Sequence, residues 1–353
     1  MHHPACTNRT VLFAAATLAV MASGAHASLS FTNYTFGNSA NVNSVYADGT
    51  NIYGATFGGL GTSNNGGTSW TNYDGTQMGG VGNLVWGTYA SGSTIYAATN
   101  NGFSISTDGG SNWTNRSGNG LGSVNVRGVY ASGTTIYAAT TSVGGSGGGV
   151  SVSGDGGSSW TTTTTTQGLG SNDVNAIYRD GTKLYAATTV GLSISTDGGL
   201  NWVTRLEGDG LGNNITNGVY VDGSNVYVAT NWGVSISTNG GDSFTNYNNV
   251  TSGDRGLGSN QIAGVWVSGG TIYAATSGGL STSTDGGVSW TNYTTADGLG
   301  NNGVNSVFVS GSTVYAGTIG GLGIAALPTA VPGAGLAGLA TVGLAGVSRR
   351  RRR

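Results

Sequence analysis

The sequence has 353 residues, of which 68 are glycine and only 3 are proline, and 7% of the residues are charged. Glycine without a strict three-residue period excludes a collagen-like rod, and so low a charge excludes a highly charged disordered chain. Six of the 12 basic residues lie at the two ends, which leaves six between them against 14 acidic residues. This balance argues against binding to a nucleic-acid backbone.

The first 27 residues have the plan of a secretory signal peptide. Arg9 precedes an apolar run over residues 11–21, and Ala25 and Ala27 supply the small residues that a signal peptidase reads. An uncleaved membrane helix is the less favoured alternative, because the run is shorter than the roughly 20 residues that a span needs. Cleavage after Ala27 removes Cys6 and all three histidines, so the mature chain is expected to have no disulfide.

The middle of the chain, residues 28–327, is a sevenfold repeat. Each unit has a central tyrosine, and these tyrosines recur every 41 to 48 residues: Tyr53, Tyr96, Tyr137, Tyr185, Tyr227, Tyr273 and Tyr315. An apolar alternating strand ending in an aromatic residue precedes each one; a third strand, a tight glycine-rich turn and a short fourth strand follow. Four short antiparallel strands in each of seven units predict an all-β fold, a seven-bladed β-propeller.

The two ends of the repeat array are predicted to meet. The seventh unit has only three strands, and the start of the mature chain supplies a candidate for the fourth: residues 30–34 (SFTNY) match residues 243–247 of a complete unit. We therefore expect the first strand to complete the last blade. This pairing would remove a free sheet edge, which otherwise invites aggregation.

The turns between third and fourth strands share a motif. Residues 106–113 (STDGGSNW) fit the pattern Ser-x-Asp-x-Gly-x-x-Trp, which resembles the Asp-box (BNR) repeats of sialidases, sortilin-type receptors and xyloglucanases. In those families the motif forms a β-hairpin turn on the face opposite the active site. The resemblance implies a structural role for Asn65, Trp70, Asp108, Trp113, Asp155, Trp160, Asp197, Trp202, Asn239, Phe244, Asp285 and Trp290. The ring of Trp113 is expected to be buried.

A second recurring sequence pattern supports the same architecture. Gly-Leu-Gly, then an apolar strand, then Tyr-Ala-Ala-Thr, resembles the propellers of two-component regulators.

Residues suited to catalysis are scarce. The chain contains one glutamate, Glu207, and no Arg-Ile-Pro phrase, which argues against a sialidase. Without histidine or cysteine the mature chain has neither a Ser-His-Asp triad nor an ordinary zinc or copper site. Calcium bound by Asp and backbone oxygens stays open, although no Asp-x-Asp-x-Asp loop occurs. We therefore expect no catalytic residue, metal or cofactor; the alternative is a glycosidase that uses a pair such as Asp209 and Asp254.

One position per unit is expected near the mouth of the central channel. It lies three residues before the aromatic end of each first strand and holds Asn43, Trp86, Arg127, Asn175, Asn217, Ala263 and Asn305. In the simpler hypothesis the asparagines satisfy backbone groups while Trp86 and Arg127 fill space. In the sharper one Trp86 and Arg127, with Trp232 from a neighbouring loop, contact a sugar or a peptide.

The last segment, residues 328–353, has three parts: Val331-Pro332-Gly333, an apolar stretch over 334–347, and five terminal arginines. This plan resembles the bacterial PEP-CTERM sorting signals, which implies an exosortase as a partner and a membrane position before processing. A plain C-terminal membrane anchor is the alternative.

The sequence as a whole predicts an exported, non-catalytic propeller of the cell surface or extracellular matrix that binds polysaccharide or a surface protein. Two alternatives stay open: a secreted glycoside hydrolase of an Asp-box family, and a periplasmic assembly or sensor module.

Overall fold

The computed structural model describes residues 28–37, 39–49, 51–249 and 256–328. The predicted signal peptide and nearly all of the predicted sorting segment lie outside the described residues. Within those residues, no helix has the length and apolar character needed to cross a membrane.

Seven four-stranded antiparallel sheets form the blades of a β-propeller, as the sequence predicts. The innermost strands are β2 (Val42–Asp48), β6 (Val85–Ser91), β10 (Val126–Ser132), β14 (Val174–Asp180), β18 (Thr216–Asp222), β22 (Ile262–Ser268) and β26 (Val304–Ser310). The second strands are β3 (Asn51–Thr56), β7 (Thr94–Thr99), β11 (Thr135–Thr140), β15 (Lys183–Thr188), β19 (Asn225–Thr230), β23 (Thr271–Thr276) and β27 (Thr313–Thr318).

The two outer layers are shorter. The third strands are β4 (Gly59–Ser63), β8 (Gly102–Ser106), β12 (Gly149–Ser153), β16 (Gly191–Ser195), β20 (Gly233–Ser237), β24 (Gly279–Ser283) and β28 (Gly321–Ala326). The outermost strands are β5 (Thr71–Tyr73), β9 (Thr114–Asn115), β13 (Thr161–Thr163), β17 (Val203–Arg205), β21 (Thr245–Tyr247), β25 (Thr291–Tyr293) and β1 (Thr32–Tyr34). Three 3-10 helices, Thr165–Gln167, Glu207–Asp209 and Thr295–Asp297, follow outermost strands.

The hydrophobic core lies between the blades. Each of seven clusters combines apolar residues from two adjacent sheets; in one, Tyr185 and Leu192 of one blade meet Val226 and Phe244 of the next. Alternation along each strand sends side chains to both faces of its sheet, and a single sheet cannot bury both. The blades are therefore stable only as a ring.

The ring closes as the sequence predicts. Strand β1 pairs antiparallel with β28, with Thr32 opposite Ile324, and completes the sheet formed by β26, β27 and β28. Phe31, just before β1, is buried against Tyr293, with ring centroids 6.3 Å apart. Its backbone N–H donates to the carbonyl of Asp297 at 2.8 Å. Strand β1 thus covers the edge of β28 that the seventh unit alone would leave open.

The third-to-fourth-strand turns are held by their own side chains. In the turn at Asp155, Ser153 Oγ donates to the carboxylate at 2.8 Å, and Ser159 donates from both its hydroxyl and its backbone N–H. These bonds stabilise the charged form and lower the pKa of Asp155 to about 2. Asn65 makes the same pattern without a charge, accepting from Ser69 N–H at 3.0 Å. The turns are structural hydrogen-bonded units; whether they are Asp-box repeats by descent stays a prediction.

The aromatic residues of these turns are buried to different extents. Trp160, Trp202, Phe244 and Trp290 are buried. The expectation of a buried Trp113 is wrong, because its ring is only half-buried against Tyr73, at a centroid distance of 5.5 Å.

One blade junction is packed differently from the rest. Phe36 stacks on Trp70 at a centroid distance of 3.9 Å and lies over two glycines of its blade, Gly54 and Gly61. A Cβ atom at either glycine would come within 2.2 Å of the Phe36 ring. The position of Gly54 is alanine or valine in the other six blades, namely Ala97, Ala138, Ala186, Val228, Ala274 and Ala316. The glycines therefore make the space that the larger ring fills.

Gly54→Ala is expected to destabilise the protein although alanine is the usual residue at this position. The added methyl group overlaps the Phe36 ring, and overpacking of a filled core costs about 1–3 kcal/mol. Chemical denaturation measures the loss in the free energy of unfolding. The double variant Phe36→Leu, Gly54→Ala should recover much of it, since leucines such as Leu169 and Leu211 fill other junctions. A Gly54→Ala variant as stable as the parent protein would contradict this packing.

Candidate functional site

A funnel of about 540 Å³ opens at one end of the central channel. All seven residues predicted at the channel mouth line it, together with Asn231, Gln261 and Ile319, among others. We call this side the funnel face. It carries the turns between second and third strands, because Val42 at the start of β2 pairs with Thr56 at the end of β3, and it also carries the connections that lead from each outermost strand to the next blade.

A β-bulge places each of these seven side chains. In every blade the register between the first two strands shifts across the ring position, as between Val42 and Ser44, Val85 and Gly87 or Val126 and Gly128. The residue between them has no partner in the ladder, and a bulge of this kind re-aims its side chain. Spacing in the sequence indicated the position, but the bulge that turns it into the channel was not predicted.

The asparagines of the ring bind the neighbouring blade. Asn43 Nδ2 donates to Val85 O at 2.8 Å, and Asn175 Nδ2 donates to Thr216 O at 2.9 Å. Asn217 Nδ2 donates to Ile262 O and to Asn231 Oδ1, and Asn305 Nδ2 donates to Val42 O and to Asn41 Oδ1. The simpler hypothesis therefore describes these asparagines well: they satisfy backbone carbonyls across blade boundaries.

Trp86 and Arg127 form a stacked pair in adjacent blades. The guanidinium carbon of Arg127 lies 3.8 Å from the centroid of the Trp86 ring, which is the geometry of a cation–π contact. Phe57 meets Trp86 edge-on, with centroids 6.0 Å apart. Burial lowers the pKa of Arg127, an effect that Asp173 opposes, yet the residue stays cationic because its ordinary pKa is so high.

Trp232 does not join this pair. It lies next to the lining residue Asn231 but outside the funnel lining, with 48% of its surface exposed. It is one of the exposed apolar side chains spread over the loops of the funnel face, which together we call the apolar rim. Of the eleven exposed large apolar residues in the described part of the chain, eight lie in the turns and connections of this face: Phe57, Val124, Val143, Val190, Leu206, Ile215, Trp232 and Ile319.

The carboxylates of this face hold the loops together. Asp209 accepts from the Leu206 N–H at 2.8 Å, and Asp297 accepts from the Thr294 N–H at 2.8 Å. Asp173 accepts from the N–H and hydroxyl of Ser142, both at 2.7 Å. Asp254, the suggested partner of Asp209, lies outside the described residues. Within the described ranges no group of three His, Cys, Asp or Glu residues is placed to hold a metal ion.

Behind the funnel the channel narrows and then meets a closed ring of aromatic side chains. The inner part, about 250 Å³, is lined by small residues that follow each bulge, including Gly87, Gly128 and Gly264. Beyond them the aromatic ends of the first strands contact one another in sequence around the axis, at centroid distances of 4.4–5.8 Å: Tyr46, Tyr89, Tyr130, Tyr178, Tyr220, Trp266 and Phe308. The repeated aromatic position was visible in the sequence, but its packing around the axis was not predicted.

The tyrosines of this aromatic ring predict a loss of stability at alkaline pH. Burial, and then the neighbouring phenols and Asp48, raise the pKa of Tyr46 well above its ordinary value, and burial likewise raises that of Tyr178. In the unfolded chain a phenol ionises near pH 10. The folded state then holds more protons, so the free energy of unfolding is unchanged below about pH 10 and falls above it.

Denaturation midpoints measured between pH 8 and pH 11.5 test this expectation. The double variant Tyr46→Phe, Tyr178→Phe should lose less stability over the alkaline range than the parent protein, because it has two fewer half-buried phenols. Phenylalanine already occupies this ring at Phe308, which makes the substitution conservative. An identical alkaline decline in both proteins would show that the aromatic ring is not its source.

No protein-family model matches this sequence, and no curated protein does. Solved structures share the fold. The extracellular domain assigned to a hybrid two-component system of B. thetaiotaomicron, BT3049, superposes with a TM-score of 0.69 at 19% identity, covering 84% of this chain and 41% of that one. YCF48 bound to a D1 peptide gives 0.62 at 13% identity, covering 85% and 97%. An ancestral GH74 enzyme gives 0.61 at 19% identity, covering 84% and 46%.

These similarities concern architecture. The chain spans about two fifths of the length of the Bacteroides domain that it matches. The predicted resemblance to propellers of two-component regulators is confirmed as a likeness of fold. A propeller fold serves many functions, so function has to be argued from the site.

Proposed function

We propose that this protein is an exported, non-catalytic propeller that binds polysaccharide or protein on its funnel face. The observation that carries the proposal is the funnel itself, a concave site whose mouth holds the Trp86–Arg127 pair and whose rim is apolar. Concave sites with a few placed polar groups mark binding surfaces. Loops on a rigid scaffold are also where recognition usually resides.

The non-catalytic part of the proposal is supported by the carboxylates. A glycosidase needs two carboxyl groups at a defined separation across the substrate. Among the described residues that line the funnel there is no aspartate or glutamate. Asp209 and Asp297 accept hydrogen bonds from their own loops, and Asp173 accepts from Ser142 in a loop of the preceding blade. The alternative, a glycoside hydrolase using Asp209 with Asp254, predicts turnover that either substitution abolishes.

The third candidate, an assembly or sensor module, has one supporting likeness. YCF48 is a propeller that this chain covers almost end to end, and it has been solved with a peptide bound. In this candidate the ligand is a segment of another protein. Retention of the tail and a tightly co-purifying membrane partner would favour it over a free matrix protein.

Export and sorting belong to the same proposal. We propose that residues 1–27 are removed, and that residues 328–353 are processed by an exosortase-type enzyme at the bacterial envelope. Mass spectrometry of the exported form measures both ends of the mature chain. A mass that retains residues 1–27 would contradict the signal peptide, and one that retains the five arginines would favour the plain anchor.

A glycan array and a panel of cell-surface proteins, probed with the purified protein, test the binding function. Trp86→Ala and Trp232→Ala should each weaken capture, since both residues lie on the funnel face. Leu200→Ala is the matched control: Leu200 is an exposed apolar residue in a turn of the opposite face. Binding that only the control weakens, or release of products from the glycans, would contradict the proposal.

A further inference from the structure

Arg127 lacks the partner that a half-buried cation ordinarily has. It makes no hydrogen bond or ion pair with another described residue, and its Nε atom is fully buried without an acceptor. Asp173 lies close enough to influence it, but the Oδ1 atom of that carboxylate receives both bonds from Ser142. That atom is out of a ligand's reach, but the terminal N–H groups of Arg127 are not buried and bond no described residue, so they are left for an acceptor that arrives with the ligand.

The stacking on Trp86 leaves that acceptor a defined approach. Trp86 covers one face of the guanidinium at 3.8 Å, and a stacked guanidinium keeps its N–H groups in the plane, where they match both oxygens of a carboxylate. Arg127 is also the sole charged residue among those described as lining the funnel. Among the described lining residues, an anionic group therefore meets one cation and no carboxylate; the nearby Asp173 lies outside this lining and accepts two hydrogen bonds from Ser142.

The asparagines of the ring act mainly as hydrogen-bond acceptors toward the funnel. Both N–H groups of Asn217 are used by Ile262 and Asn231, and both of Asn305 are used by Val42 and Asn41. A carboxamide whose donors are occupied offers only its oxygen. Asn43 and Asn175 each use one N–H in the same way. The ring thus presents carboxamide oxygens, with one unused N–H on each of Asn43 and Asn175, beside a single guanidinium.

We infer that the funnel binds a uronic-acid residue of an acidic polysaccharide, an inference that rests on the proposed binding function. One sugar ring of this class carries a carboxylate for Arg127 and several hydroxyl groups that donate to the asparagine oxygens. The face of Trp86 toward Arg127 is already covered, so the sugar is recognised by its polar edge and not by stacking on that face. A peptide supplies fewer hydroxyl donors beside its carboxylate and fits this ring less well.

Calorimetric titration of the purified protein with three probes tests the inference: oligogalacturonate, its methyl ester, and a short Gly-Ala peptide with a free carboxyl terminus. We expect oligogalacturonate to bind at least tenfold more tightly than either of the others. Added salt should weaken it, because the contact is charged. The ester keeps every hydroxyl group and removes only the charge, so this comparison needs no variant protein.

Arg127→Gln should weaken oligogalacturonate binding about 30-fold or more, the size expected for losing one partner of a buried charge pair. Lys183→Gln is the matched control, since it removes one positive charge on the opposite face. An unchanged melting temperature shows that the fold is retained. Equal binding of acid and ester, no binding of the acid, or a preference for the peptide would each overturn the inference.

Different outcomes would contradict the uronic-acid ligand alone or the binding function of the funnel face as well. A neutral glycan or a peptide that binds the funnel, and is lost in Trp86→Ala but kept in Arg127→Gln, would leave the binding function standing and overturn only the acidic-sugar ligand. Absence of any ligand that depends on the funnel face would overturn both.

Discussion

A chain that lacks residues 28–37 is expected to form no stable propeller. The deletion removes β1 and three buried side chains, Leu29, Phe31 and Phe36. Removing a buried leucine costs about 2–5 kcal/mol and a buried phenylalanine about 3–5 kcal/mol. Together these losses are comparable with the total stability of about 5–15 kcal/mol that a domain has. Circular dichroism and size-exclusion chromatography should show loss of cooperative unfolding, and aggregation through the exposed edge of β28.

Single substitutions separate the contribution of the buried side chains to stability from that of the exposed residues of β1. Phe31→Ala alone should cost about 3–5 kcal/mol in chemical denaturation, whereas Thr32→Ala, an exposed position on the same strand, should change the free energy of unfolding little. A synthetic peptide covering residues 28–37, added in excess, should restore cooperative unfolding to the shortened chain. A shortened chain that is monomeric and as stable as the parent protein would refute closure through β1.

Trp202→Ala is expected to cause the largest loss of any single turn residue. Its ring is buried between two blades, beside Val150 of one and Leu184 of the next. Its Nε1 donates to Thr163 Oγ1 at 3.0 Å and also contacts Gly199 O at 3.1 Å. Truncating a buried tryptophan costs about 3–5 kcal/mol, and the buried Thr163 hydroxyl loses a hydrogen-bond donor.

The same turn supplies the control for Trp202. Leu200→Ala removes an apolar side chain that is 62% exposed, so the free energy of unfolding should change by less than about 0.5 kcal/mol. Trp113→Ala should lie between the two, because that ring is only half-buried. Equal effects at Trp202 and Leu200 would show that the turn aromatic does not join the blades.

Local patterns were enough to predict the architecture. Alternating strands, glycine-rich turns and a recurring tyrosine gave the number of blades, and the match of residues 30–34 to a fourth strand gave the closure seen between Thr32 and Ile324. These features are encoded within one unit or copied between units. Strand pairing follows from them because six blades are simple meanders of neighbouring strands, and β1 completes the seventh.

Contacts between units were harder to predict. Trp86 and Arg127 are 41 residues apart, and only the bulges bring them to a 3.8 Å contact across a blade boundary. The large ring of Phe36 fits because Gly54 has no side chain. This match of volumes leaves no periodic pattern in the sequence from which it could be predicted. The predicted burial of Trp113 failed for a related reason: the motif fixes the turn, while the neighbouring blade decides how deeply the ring is covered.

The bulge also bears on how such a protein acquires a new specificity. Since the seven bulged residues take no part in the register of the sheet, each can be exchanged without re-pairing a strand. The lining therefore has seven positions around the axis, one from each blade, at which a substitution leaves strand pairing unchanged. Two of them, Trp86 and Arg127, make no hydrogen bond to the next blade, whereas the four asparagines do. A library randomised at the codons of Trp86, Arg127 and Ala263 would therefore sample new recognition surfaces and keep the hydrogen bonds between blades.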